Sequence, residues 1–314
     1  MFPLPTPRPT EVDTSPAVGD NALKMGSTIL RVVLIVFLFL IITSLWGFYS
    51  SIRPPKIISS LTPRDLKMQY EDVSFRTADN LTLRGWYIPS AKTAATTLIL
   101  LHGYPADKGN ILPALAFLHQ DFNLLLFDFR YLGQSEGSYS TAGATEVADL
   151  LAAIQFLKTR GVKEVGVWGF SMGGAVALMA IDKAPEIKVV VSESSYASLA
   201  QMALQLFPIP LLNYPIAYLV GLWANLFLGI DVRDASPAER IRSATVPILL
   251  IHSSADAVIP FSHARSLQQA LAKNASAEFW FNGQFAHGQF ASDYRVRVKN
   301  FFLKHLQEDR GRLS

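Results

Sequence analysis

The alternation of apolar and polar positions changes character three times along the chain. Residues 1–27, beginning MFPLPTPRPT, carry proline, small and polar residues with no hydrophobic period. Such a composition cannot build a core, and a disordered tail is predicted. The run RVVLIVFLFLIITSLWGFYSSIR follows, and from Val32 to Ile52 it holds no charged residue. Twenty-one helical residues reach about 31 Å, enough to cross the hydrocarbon of a bilayer. Trp46, Phe48 and Tyr49 lie near one end, where an interfacial belt belongs. Core helices are seldom apolar on every face, and a cleavable signal peptide has a shorter apolar run followed by a small-x-small site. Residues 28–52 therefore read as an uncleaved, single-pass transmembrane anchor. Residues 53–70, RPPKIISSLTPRDLKMQY, read as a linker lifting the next domain off the bilayer.

From residue 71 the pattern becomes regular. EDVSFRT and LTLRGWYIP predict two strands joined at Asp79-Asn80, a hairpin. TTLILLH, FNLLLFDFR, EVGVWGF, IKVVVSE, VPILLIH and AEFWFN predict further strands. LPALAFLHQ, GATEVADLLAAIQFLKT, MGGAVALMAI, SHARSLQQALAK and SDYRVRVKNFFLKHL predict helices between and after them. Strands alternating with helices after a hairpin start imply an α/β domain, 71–309, with a mainly parallel sheet covered by helices on both faces. One insertion interrupts it. Between Glu193 and Asp231 there is no Asp, Glu, Lys or Arg. A second membrane span is one reading, but Pro208, Pro210 and Pro215 break any single straight helix. A small helical cap over residues 196–233 fits better.

Composition narrows the chemistry. Half of the 314 residues are hydrophobic and 17% are charged, in keeping with a membrane segment. The net charge is +3 and the basic residues are scattered, so there is no nucleic-acid footprint; mild attraction to anionic lipid remains. The chain has no cysteine, which excludes disulfides, thiolate metal sites and a cysteine nucleophile. Lys24 and Arg31 precede the span, while Arg53, Lys56, Arg64 and Lys67 follow it. That excess favours a cytoplasmic catalytic domain.

The stretch GFSMGG, residues 169–174, stands directly behind the apolar run VGVW. A serine hydroxyl is a weak nucleophile unless a general base lies within reach and a third group orients that base. Gly-x-Ser-x-Gly between a strand and a helix presents Ser171 on a strained turn, with helix N–H groups behind it. Of six histidines, His119 and His305 fall on helices, His263 opens one, and His102 and His252 end strands. His287, in the loop GQFAHGQF after a strand, is the candidate base. Asp256, in HSSADAVIP, is the candidate orienting acid. Serine, acid and histidine each follow a strand's carboxyl end, where α/β sheets bind their ligands.

With those residues in place, the chain from about 71 to 306 resembles the α/β-hydrolase superfamily. HGYPADKGN is similar to that family's oxyanion loop, which implies backbone N–H donors at Tyr104 and Met172. DFRYLGQSEG is similar to the loop after the family's fourth strand, with Tyr131 where glycine is usual. HSSADAVIP matches the acid loop, with Ser253 replacing a glycine. The membrane span together with these loops resembles the single-pass, membrane-anchored α/β-hydrolase-domain proteins, and more distantly the serine aminopeptidase and monoacylglycerol lipase groups.

Three functions follow as expectations. The first is a membrane-anchored serine hydrolase of esters or thioesters with lipid-like acyl groups. The second is a peptidase of aminopeptidase type, in which Glu193 would hold the substrate's amine; the alternative for Glu193 is a buried structural acid. The third is a non-catalytic binding protein that kept the fold; a complete Ser171–Asp256–His287 set argues against it. No His-Glu-x-x-His and no phosphate loop occur, so no metal or other cofactor is implied.

Overall fold

The computed structural model describes residues 18–92, 95–206 and 210–306. The chain divides into two units, Met1–Thr43 and Ser44–Ser314. The first unit's described residues are helical and belong to α1 (Val18–Ile52). Its side chains from Val32 to Phe39 are exposed on all faces, and the stretch Leu23–Ile52 is long and apolar enough to cross a membrane.

The helix begins ten residues before the predicted start of the anchor at 28. Residues 1–17 lie outside the described residues, but Val18–Ser27 are helical. Once the apolar run has nucleated the helix, Ala22, Leu23, Lys24 and Met25 are good formers that extend it at little cost. The hydroxyls of Ser27 and Thr28 fold back onto the Lys24 carbonyl, each at 2.9 Å.

The second unit is built on an eight-stranded sheet. Its strands are β1 (Glu71–Arg76), β2 (Thr82–Ile88), β3 (Thr97–Leu101), β4 (Asn123–Phe127), β5 (Val165–Phe170), β6 (Ile187–Glu193), β7 (Ile248–Ser253) and β8 (Ala277–Asn282). Their spatial order is β1-β2-β4-β3-β5-β6-β7-β8. β1 and β2 form the hairpin foreseen around Asn80, and β2 pairs antiparallel with β4; every other pairing is parallel. Crossovers between parallel strands are helical, as the geometry demands.

Alternation along each strand feeds two cores. Ile99, Leu101, Leu125 and Phe127 face one way, onto α3 (Val147–Thr159), α4 (Met172–Ala180) and α8 (Phe261–Ala270). Leu98, Leu100, Leu124 and Leu126 face the other, onto α2 (Lys108–Leu115) and α9 (Tyr294–Leu306). Both faces of the central strands are buried, which is why they read as unbroken apolar runs. Between β6 and β7 the chain leaves the sheet for α5 (Leu199–Leu206) and α6 (Asn213–Leu228), then returns through the short α7 (Pro237–Arg240).

Residues 53–70 are not a free linker. Pro54, Pro63 and Met68 are buried, and Pro63–Leu66 form a 3-10 turn closed by reciprocal Thr62 and Asp65 contacts. Ser59 bonds through both its N–H and its hydroxyl to Asp107, at 2.6 Å each. Lys56 Nζ reaches the Ser135 carbonyl at 3.3 Å. The prolines hold the segment extended, so it lies as a strap along the domain at low entropic cost.

Candidate active site

The carboxyl ends of β5, β7 and β8 meet at one edge of the sheet. Between β5 and α4, Ser171 takes φ 53° and ψ −116°, a conformation that costs a non-glycine residue on the order of 1–3 kcal/mol. Backbone crowding explains its neighbours. A Cβ on Gly173 would stand 2.6 Å from the carbonyl oxygens of both His102 and Leu101, and one on Gly169 would overlap the Gly173 carbonyl. Only glycine lets the start of α4 approach the ends of β3 and β5 so closely. The Ser171 N–H donates to the Glu193 carbonyl at the end of β6, at 2.8 Å, and fixes the turn to the neighbouring strand.

Asp256 sits in the loop after β7. Its Oδ1 accepts the N–H groups of Val258 and Ile259, both at 2.9 Å. Its Oδ2 accepts His287 Nδ1–H at 2.7 Å. Burial alone would raise the Asp256 pKa, but these bonds and the His287 ring outweigh it and hold the carboxyl below its ordinary value. With Nδ1 donating, the neutral imidazole keeps its lone pair on Nε2. The His287 ring lies against Phe170, the residue before Ser171, with centroids 4.6 Å apart. Asp256 and His287 are thus joined and stand beside the turn that carries Ser171. Among the described residues no hydrogen bond links Ser171 Oγ to the imidazole.

The loop after β3 presses on the same turn. A Cβ on Gly103 would lie 3.3 Å from Ser171 Cβ. The N–H groups of Tyr104 and Met172 donate to no protein group among the described residues. His102 Nδ1–H donates to the Gly103 carbonyl at 2.7 Å, and its Nε2 accepts Phe129 N–H at 3.0 Å. Burial pushes its pKa down, in keeping with a neutral ring that shapes the loop. Tyr104 sends its hydroxyl to the Ser51 carbonyl at 2.6 Å. Lys108 and Asp128 form a buried pair at 2.7 Å, with the ammonium 4.6 Å from the Trp86 ring centroid, and they tie this loop to the one after β4.

Both departures from the expected motifs have structural reasons. Tyr131 adopts φ 66°, where glycine is usual, and its hydroxyl donates to the Pro54 carbonyl at 2.9 Å. Ser253 Oγ accepts from Ala255 N–H at 3.1 Å and from Phe285 N–H at 3.3 Å, linking the acid loop to the histidine loop. Glu193 does not serve as an amine-holding acid at a surface. It is 4% exposed, and its Oε2 accepts the Tyr294 hydroxyl at 2.5 Å, which in turn accepts Trp168 Nε1–H at 2.9 Å. Sequence reasoning missed this network because Tyr294 is 101 positions away.

An apolar cavity of about 80 Å³ lies between the cap and the last turn of α1, lined by Phe48, Ile52, Ala142, Leu199, Val220 and Leu228 among others. Ala142 adjoins Gly143, where an added Cβ would stand 3.6 Å from the Met172 side chain.

Residues 96–225 match the family model of the alpha/beta hydrolase fold. The protein YfhR of Escherichia coli O157:H7 is 32% identical over 253 residues, covering 75% of this chain and 81% of YfhR. The chain belongs to the α/β-hydrolase superfamily. As an α/β hydrolase it also resembles the lysophosphatidylserine lipase ABHD12 of Danio rerio, 26% identical over 61% of this chain and 51% of that one. Among solved structures, the Pyrococcus furiosus esterase Pf2001 superposes with a TM-score of 0.68 at 28% identity, covering 81% of this chain and 99% of the esterase. Fold and kinship make this α/β hydrolase a hydrolytic enzyme.

Proposed function

We propose that this α/β hydrolase is a membrane-anchored serine hydrolase that cleaves carboxylic esters or thioesters of lipid-like acyl groups. The observation that carries the reading is the 2.7 Å bond from His287 to Asp256 beside the strained Ser171. Ser171 Oγ attacks the substrate carbonyl while His287 Nε2 takes its proton. Asp256 holds the tautomer and balances the imidazolium. The N–H groups of Tyr104 and Met172 receive the oxyanion, and their lack of partners among the described residues suits that task. His287 then protonates the leaving alcohol or thiol, and water, activated by the same imidazole, releases the acid from Ser171.

The apolar cavity between the cap and the last turn of α1, together with the uncharged cap, supports an acyl chain as the substrate group. The helix Leu23–Ile52 supports anchoring by a single span, and the basic residues Arg53, Lys56, Arg64 and Lys67 favour a cytoplasmic catalytic domain.

Labelling of the full chain with a fluorophosphonate, followed by competition with acyl esters, acyl thioesters and aminoacyl amides, tests the reading. Labelling that vanishes in Ser171→Ala, with competition by the esters or thioesters, is the expected result. Labelling retained by Ser171→Ala would overturn the nucleophile, and competition by the amides alone would overturn the substrate class.

A further inference from the structure

The outer face of α6 carries one uninterrupted apolar stripe. Tyr214, Tyr218, Leu222 and Leu226 recur every fourth residue and are 67%, 74%, 43% and 65% exposed. Residues four apart share a helix face. The opposite face is already used, with Ile216, Val220 and Ala224 buried. A helix that turns one face to water ordinarily places its charges there. This one has none to place, because the interval from Glu193 to Asp231 is free of charge.

What covers the stripe follows from its neighbour. Trp223 Nε1 donates to Ser44 Oγ at 3.0 Å, and the rings of Phe227 and Phe48 pack with centroids 6.0 Å apart. Ser44 and Phe48 belong to the last turns of α1. Ser44 precedes Ile52 by eight residues, about 12 Å along a helix axis. If the uncharged run ending at Ile52 crosses the hydrocarbon, a helix in contact with Ser44 and Phe48 sits at lipid depth too. Trp46 and Tyr49 on the same turns of α1 are exposed. The exposed Arg233 at the end of the cap is paired with Asp231, so the lipid contact of this face is apolar rather than ionic.

We propose that the outer face of α6 is seated in the bilayer interface, so that the cap and the end of α1 enter the lipid together. The inference rests on α1 being a membrane anchor. Its consequence is that substrate reaches the cap from the membrane and not through bulk water.

Because the chain lacks cysteine, single nitroxide labels test this directly. The full chain would carry a label at Tyr218→Cys or Leu222→Cys, in vesicles of phosphatidylcholine and phosphatidylglycerol. Val36→Cys on α1 and Val296→Cys, exposed on α9, serve as references. Power-saturation spectroscopy compares access to oxygen, which partitions into lipid, with access to a water-soluble nickel chelate. The expected ratio of oxygen to nickel access at 218 and 222 is several-fold above that at 296 and approaches that at 36. Ratios at 218 and 222 equal to 296, with 36 still lipid-exposed, would overturn the inference and leave the anchor intact. Nickel access at 36 would overturn both. Protection from both reagents with dipolar broadening would overturn it in favour of a second copy of the chain. Leu226→Cys repeats the measurement should either cap variant fail to fold.

Discussion

The phenol of Tyr104 donates a 2.6 Å hydrogen bond to the carbonyl of Ser51, 53 positions earlier in the chain. One residue thereby follows Gly103, which lies against Ser171, and holds the C-terminal turn of α1 with its side chain. Burial raises the pKa of this phenol, so it stays protonated and a donor throughout the working range. Tyr104→Phe keeps the ring but releases the tether. The expected result is a kcat about tenfold lower with KM nearly unchanged, equivalent to about 1.4 kcal/mol of lost transition-state alignment. Steady-state kinetics on a chromogenic short-chain ester reads the split, and a change confined to KM would count against a positioning role.

Ser171→Ala and His287→Ala should each lower kcat by at least about 10⁴. Asp256→Asn should cost a similar factor, because the amide stabilises the wrong imidazole tautomer and gives the imidazolium no counter-charge. The three effects should not add in double variants, since the groups act as one unit. Circular dichroism should be unchanged, which separates lost chemistry from lost fold.

Glu193 makes stability depend on pH. Burial pushes its pKa up to about 8, against the pull of the Tyr294 hydrogen bond. Between its ordinary value of 4.5 and about 8, the folded chain holds a proton that the unfolded chain has released. Stability therefore falls as pH rises through that window, by up to about 1.4 kcal/mol per pH unit from this group. Glu193→Gln keeps an acceptor for Tyr294 and removes the titration. Thermal melts between pH 5 and 8 should show a shallower slope for the variant, and parallel curves would refute the assignment.

Asp128→Asn should destabilise the domain by about 3–5 kcal/mol. It leaves the Lys108 ammonium, 4% exposed, buried without its counter-charge. Denaturant unfolding measures this. A loss under about 1 kcal/mol would mean that Gln134, 3.1 Å from Lys108 Nζ, suffices as a partner.

The readable parts of the sequence share a physical cause. β3 to β7 are buried on both faces, so their apolar runs needed no partner to be recognised. The Ser171 turn was legible because backbone crowding at 169 and 173 admits only glycine. Asp256 and His287 each follow a strand end, and the parallel sheet brings strand ends to one edge. The strap at 53–68 was not legible. Its residues are polar and proline-rich, like a solvated linker, and its partners Asp107, Tyr131 and Ser135 lie tens of positions downstream. The start of α1 at Val18 was hidden for a different reason: helix propagation beyond an apolar run leaves no hydrophobic mark.

The last turns of α1 also dictate where a soluble fragment of this enzyme can begin. A cut at residue 53 would strip Ser51 and Ile52 from Tyr104 and Ser140, whose bonds to them are 2.6 and 2.9 Å, and would bare Trp223 and Phe227. A cut before Ser44 spares all four contacts while removing most of the apolar helix. The shorter fragment should express as an aggregate or a poor catalyst, and the nine residues 44–52 decide the difference.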